Sequence, residues 1–175
     1  VDDYNKEFLP SGWSDFDDGD GGTQGTRGIL STAPDSHFNT SLAGTPDDDA
    51  NDQVFYSAAR DIFQVLGEPM LPGSTYVLRV DIGDRELAES EGNPGNPGIH
   101  LGVGRIPGGR RLEPTSVDFP PQTDGGGGTW TATYVTGPED GKDHEPLRIE
   151  LTSGSQVGWF DNVRLSVTST ADRPD

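Results

Sequence analysis

Four aspartates and three glycines crowd into the stretch DFDDGDGG at residues 15–22. Carboxylates at this density suggest a hard cation, because calcium takes oxygen ligands. A helix–loop–helix calcium loop needs oxygen ligands at positions 1, 3 and 5, glycine at 6 and glutamate at 12. Counting from Asp15, position 5 is Gly19; counting from Asp18, it is Gly22. The second acidic run, TPDDDANDQ at 45–53, fails as well, since Asp52 takes the glycine place and Ala58 the glutamate place. Any metal must therefore be held by groups from distant strands and loops. Asp15, Asp17 and Asp20 read first as a solvated turn after Trp13, and second as an accessory cation site.

Other chemistry has less to stand on. His37, His100 and His144 are too scattered for a motif, and HEPLR at 144–148 is not a two-histidine zinc helix. There is no G-x-S-x-G elbow and no phosphate-binding glycine loop with lysine. Carboxylates abound, but acid–base work needs a pocket that sets two of them apart. No catalytic residue is assigned. For sugar binding, Phe55 and Tyr56 in a long loop, and Phe119 before Pro120, are candidate platforms. Arg105, Arg110 and Arg111 could hydrogen-bond hydroxyls or carboxylates, or simply balance nearby acids.

These residues sit in a chain of 175 residues with 30 acidic and 12 basic side chains, a net charge of −18. That field repels nucleic acid and anionic membranes and suits calcium-rich or saline surroundings. The absence of cysteine excludes disulfides and thiolate metal sites. No apolar run approaches the roughly 20 residues of a membrane helix. The first residue is Val1, with no signal-like apolar stretch, which leaves a processed chain or a fragment open.

The elements that must position the candidates are strands, because the hydrophobic period is two. Tyr76, Leu78, Val80 and Ile82 share one face of TYVLRVDIG, with Val77, Arg79 and Asp81 on the other. Ile99, Leu101 and Val103 align, as do Trp130, Ala132 and Tyr134. Leu147, Ile149 and Leu151 oppose Arg148 and Glu150, and Trp159, Val163, Leu165 and Val167 fall on one side. IFQVL at 62–66 is a shorter strand candidate, and YSAARDIFQVL could open as a helical turn. Pro72-Gly73 marks a turn into a strand. The pattern predicts one all-β domain over 1–175, an antiparallel β-sandwich with long loops at about 32–55 and 105–124 and a short polar tail.

The order of segments carries a resemblance. FLPSGW (8–13), IFQVLGEPMLPGSTYVLRVDIG (62–83), GGTWTATYVT (127–136) and LRIELTSGSQVGWFDNVRLSV (147–167) follow one another. This resembles the galactose-binding-like jelly roll of bacterial carbohydrate-binding modules and related secreted and biofilm proteins. The resemblance implies a structural calcium joining the N-terminal segment to the last strand. Asp161 matches the last-strand ligand, and Glu7 or Asn5 would supply the N-terminal one. The family has Phe before Glu where this chain has Glu7 before Phe8. Trp13, Trp130 and Trp159 match positions that the family uses for packing.

The expectation drawn is a non-catalytic, extracellular, calcium-stabilised module that binds polysaccharide or glycan or serves a surface matrix. A first alternative is a subunit that assembles with copies of itself into a filament or layer. A few members of this jelly roll are calcium-dependent terpenoid-indole cyclases, so a calcium-dependent enzyme on the same fold is a second alternative.

Overall fold

The computed structural model describes residues 13–15, 27–31, 53–58, 61–83, 98–105, 109–119, 127–141, 143–152 and 157–169. Eleven strands make up the described secondary structure: β1 (Trp13–Asp15), β2 (Arg27–Ser31), β3 (Gln53–Ala58), β4 (Asp61–Pro69), β5 (Ser74–Gly83), β6 (Gly98–Val103), β7 (Arg110–Arg111), β8 (Ser116–Asp118), β9 (Gly127–Val135), β10 (Pro146–Thr152) and β11 (Val157–Ser169). They form two antiparallel sheets, ordered β1-β4-β10-β6-β7 and β2-β3-β11-β5-β9-β8. The architecture is the antiparallel β-sandwich that the alternating pattern predicts, with the jelly-roll form that the resemblance implies.

The core follows from that alternation. Tyr76, Leu78, Val80 and Ile82 of β5 and Trp130, Ala132 and Tyr134 of β9 are buried. Ile99, Leu101 and Val103 of β6 and Leu147, Ile149 and Leu151 of β10 join them in one cluster. Two tyrosine hydroxyls are satisfied inside it: the Leu71 N–H donates to Tyr76 Oη at 2.7 Å, and the Leu101 N–H to Tyr134 Oη at 3.2 Å. The turn before β5 has Gly73 at φ 58°, a conformation open to glycine and strained for other residues. Beside it, Ser74 N–H donates to Thr136 Oγ1 at 2.8 Å, which ties β5 to the end of β9.

Several expectations need correction. YSAARDIFQVL does not open as a helix, because β3 and β4 occupy 53–58 and 61–69. The stretch 105–124 is not strandless, since β7 and β8 lie within it. The strand RGILS at 27–31, too short to show a clear period, goes unseen in the sequence. In β11 the expected frame breaks. The register against β5 shifts between Asp161 and Arg164, and Asn162 takes φ 46°. This bulge makes Phe160 a buried residue while Val163 and Leu165 also pack on the core. Val167, expected inside, is 49% exposed near the strand's end.

Candidate active site

The outer face of the five-stranded sheet holds charges that the pattern assigns to solvent. Arg148 and Glu150 alternate with the core residues of β10, yet they are 3% and 1% exposed. β10 is central, flanked by β4 and β6. Glu150 is paired in register with Phe63 and His100, and Arg148 with Val65 and Gly102. Arg148 Nε donates to Glu150 Oε1 at 2.6 Å, and its Nη1 donates to the carbonyls of Val103 and Gly104 at 2.8 and 2.7 Å. Arg111 Nε donates to the second carboxylate oxygen, Oε2, at 2.6 Å. A side chain at Gly109 would collide with Arg148 Nη1, so glycine there makes room for the guanidinium. Both carboxylate oxygens and most of the Arg148 fork are thereby engaged, as a buried ion pair requires. This network clamps the edge strand β7 onto the sheet.

Burial pushes the Glu150 carboxyl up, but the hydrogen bonds and charges of Arg111 and Arg148 outweigh it and hold the group below its ordinary value of 4.5. Burial, helped by Arg111, holds His100 below its ordinary 6.5, against the opposing pull of Glu150 and Glu113. Both groups contribute stability above their unfolded-state values, and that contribution is lost as pH falls through the folded ones. Acidification is therefore expected to lower the melting temperature in two stages, beginning below 6.5 and again below 4.5. Thermal melts across pH test this, and His100→Gln should remove the upper stage alone.

The outer face of the six-stranded sheet differs. Asp81 of β5 and Asp161 of β11 are directly paired, and Thr129 of β9 is paired with Asp81. The three therefore form one row across three strands. Thr129 Oγ1 donates to Asp81 Oδ1 at 2.5 Å, and Asn162 N–H donates to Asp161 Oδ1 at 2.7 Å. Asp81 is 1% exposed. Among the described residues, the buried side-chain polar atoms without a hydrogen-bond partner are Asp81 Oδ2 and Asn162 Nδ2. Both belong to this row and its bulge. Buried polar groups are normally paired, so two orphans at one bulge single this row out as the candidate site.

The adjoining row runs Gly28, Tyr56, Trp159, Gly83, Gly127 by strand register. Residues two apart on a strand share a sheet face, so position 83 falls on the face of Asp81. Gly83 and Gly127, adjacent in this row, place two positions without side chains next to the row of the carboxylate pair.

The predicted site residues are distributed unevenly over this frame. Asp161 sits in the candidate row and accepts a local backbone N–H. Asp15 ends β1, in the other sheet. Asn5, Glu7, Asp17 and Asp20 lie outside the described residues. Phe55 and Tyr56, expected in a loop, stand in β3, in register with Phe160 and Trp159 of β11. Phe119, expected to be exposed, is partly buried against the core. Arg105 is exposed. Arg110 faces Asp140 at 3.5 Å, and Arg111 is engaged by Glu150 at 2.6 Å. Asp81, Thr129, Arg148 and Glu150 are the residues that sequence reasoning missed. The one available signal was a carboxylate between two apolar residues, Val80 and Ile82, in RVDIG at 79–83.

A family model described as HpiC1-like, HpiC1 cyclase, matches residues 2–166. Among solved structures, the chain is similar to a Stig cyclase, Fisc, from Fischerella sp. TAU in complex with (3Z)-3-(1-methyl-2-pyrrolidinylidene)-3H-indole. That likeness has a TM-score of 0.71 at 21% identity, over 97% of this chain and 90% of the other. A cyclase from Fischerella sp. TAU in complex with 4-(1H-indol-3-yl)butan-2-one matches with a TM-score of 0.70 at 19% identity, over 97% and 90%. An apo cyclase from Fischerella sp. matches at 0.71 and 22%, over 98% and 89%. Among curated proteins no match to the chain is found.

These findings overturn the carbohydrate-binding resemblance and the reading built on it. A non-catalytic glycan-binding or matrix module does not stand, nor does a filament subunit whose partners are copies of itself. The family is one of cyclases, and two of the similar structures hold small indole compounds. Of the alternatives drawn from the sequence, the enzyme on the same fold fits best. With the match running through nearly the whole chain, from residue 2 to residue 166, the chain belongs to the HpiC1-like cyclase family.

Proposed function

We propose that this protein is a cyclase acting on an indole-bearing small molecule, with its site on the outer face of the six-stranded sheet at Asp81 and Asp161. The observation that carries this reading is the buried Asp81 Oδ2, which lacks a donor among the described residues. An indole N–H is a donor with no acceptor function, and it matches a lone carboxylate oxygen. Gly83 and Gly127 in the adjoining row present no side chains that would obstruct a flat ring. When an indole carbon forms a new bond, positive charge develops on the ring nitrogen. A carboxylate fixed at that N–H stabilises the charge where it appears. The neighbouring Asp161 can accept or return the proton that ring closure displaces.

Calorimetric titration with 4-(1H-indol-3-yl)butan-2-one tests the reading. Saturable binding is expected, and no heat of binding at millimolar ligand would overturn it.

A structural calcium at Asp161 is proposed with it. Asp81 and Asp161 alone supply fewer oxygens than the six to eight that calcium takes. Among the described residues there is no group of three or more metal-ligating side chains. The described residues therefore do not fit a complete calcium centre, and no step of the reaction runs through the ion. If calcium ties Asp161 to Asn5 or Glu7, chelator lowers the melting temperature and Asp161→Asn removes that effect. An unchanged midpoint rejects the metal.

A further inference from the structure

Of the two buried polar atoms that lack a partner among the described residues, the indole reading uses one, Asp81 Oδ2. The other is Asn162 Nδ2. The strand register explains its place. Asp161 is opposite Asp81 and Arg164 is opposite Arg79, so Asn162 and Val163 share the space opposite Val80. Val163 packs partly buried against the core. Asn162 takes φ 46°, and its N–H donates to Asp161 Oδ1 at 2.7 Å. A bulge of this kind re-aims a side chain, and asparagine adopts the left-handed backbone more readily than most residues. The two orphans are complementary, because a carboxylate oxygen accepts and an amide nitrogen donates. Yet neither bonds the other. Thr129 Oγ1 donates to the remaining oxygen of Asp81 at 2.5 Å and fixes that carboxylate.

We propose that Asn162 is a specificity-determining residue of this site, donating from Nδ2 to an uncharged acceptor, a carbonyl oxygen or imine nitrogen, on a short chain of the indole substrate. The proposal rests on the indole reading above, and the juxtaposition of an orphaned acceptor with an orphaned donor carries it. An indole N–H serves Asp81 but offers Asn162 no acceptor, so the ring alone satisfies half of the site. The acceptor is uncharged because Asp81 and Asp161 are paired beside it, and an anion there would meet two like charges. Along β11 the order is Trp159 opposite Gly83, Asp161 opposite Asp81, and then Asn162. A ring over Gly83 and Gly127 with its N–H at Asp81 therefore continues toward Asn162 without doubling back. Neighbouring strands lie about 4.8 Å apart, the scale on which a chain of a few atoms carries an acceptor away from the ring.

The test measures two ligands by calorimetry: 4-(1H-indol-3-yl)butan-2-one and 3-butylindole, which has the same carbon chain without the oxygen. Asn162→Gly removes the amide and keeps the φ 46° backbone without strain. It is expected to weaken the ketone by about 2- to 12-fold, the worth of a neutral hydrogen bond, and to leave 3-butylindole unchanged. Asn162→Asp keeps the shape but exchanges the donor for an acceptor, and should weaken the ketone at least as much. Thermal melts establish that both variants fold. The readout is the ratio of the two affinities, which a loss of packing shared by both ligands does not move. If the ketone binds and both variants leave that ratio at its wild-type value, the Asn162 proposal is overturned and the indole reading stands. If neither ligand binds wild-type protein, both are overturned.

Discussion

Asp81→Ala is expected to weaken binding of 4-(1H-indol-3-yl)butan-2-one by about 10- to 150-fold, the worth of a hydrogen bond to a charged group of about 1.5–3 kcal/mol. The expectation rests on one atom. Asp81 is buried, Thr129 occupies its Oδ1, and its Oδ2 has no donor among the described residues. Asp81→Asn is the gentler variant, because it keeps the volume and an oxygen for Thr129. The N-methylated ketone separates a hydrogen bond from a general disturbance. It should bind wild-type protein more weakly by a similar factor, and the Asn variant should not distinguish it from the parent ketone. Stability should move the other way. A buried carboxylate oxygen left unpaired costs about 1–3 kcal/mol, so Asp81→Asn should melt no lower than wild type. A variant that melts lower and binds both ketones as wild type does would make Asp81 structural.

Glu150→Ala is expected to destabilise the fold by about 3–5 kcal/mol, the cost of removing one partner from a buried ion pair. In a chain of this size that is a fall in melting temperature of about 6–20 °C. Arg148 would be left 3% exposed, with only backbone carbonyls in place of its countercharge. Arg111, 44% exposed at its side chain, would lose its short contact and swing to water. The double variant Arg148→Met, Glu150→Leu should recover much of the loss, because well-packed apolar groups replace a buried pair at little cost. Chemical denaturation of the three proteins measures this. A single variant within 1 kcal/mol of wild type, by that measurement, would mean water already reaches the pair.

The two experiments separate the sheet faces. One face carries charges whose partners are complete, and its variants should report on stability and acid sensitivity. The other carries unpaired polar atoms at a bulge, and its variants should report on ligand binding.

How far these features can be read from residues alone depends on whether they are local. Alternation in TYVLRVDIG, GIHLGV and LRIELT specifies strands and names their inward side chains, and the buried cluster contains them. Pro72-Gly73 specifies its turn, because only glycine takes that φ without strain. The sandwich, and the placement of Asp161 on the last strand, follow from such signals. The site does not. A period of two says which side of its own strand a residue occupies, but not which strand lies alongside or in what register. That Asp81 meets Asp161, eighty positions away, follows from β11 pairing with β5. That Arg148 and Glu150 are buried follows from β10 lying between β4 and β6. The bulge that turns Phe160 inward likewise exists only against a partner strand. Strand faces come from neighbours in the chain, whereas charge pairing, burial on the outer faces and the orphaned oxygen come from neighbours in space.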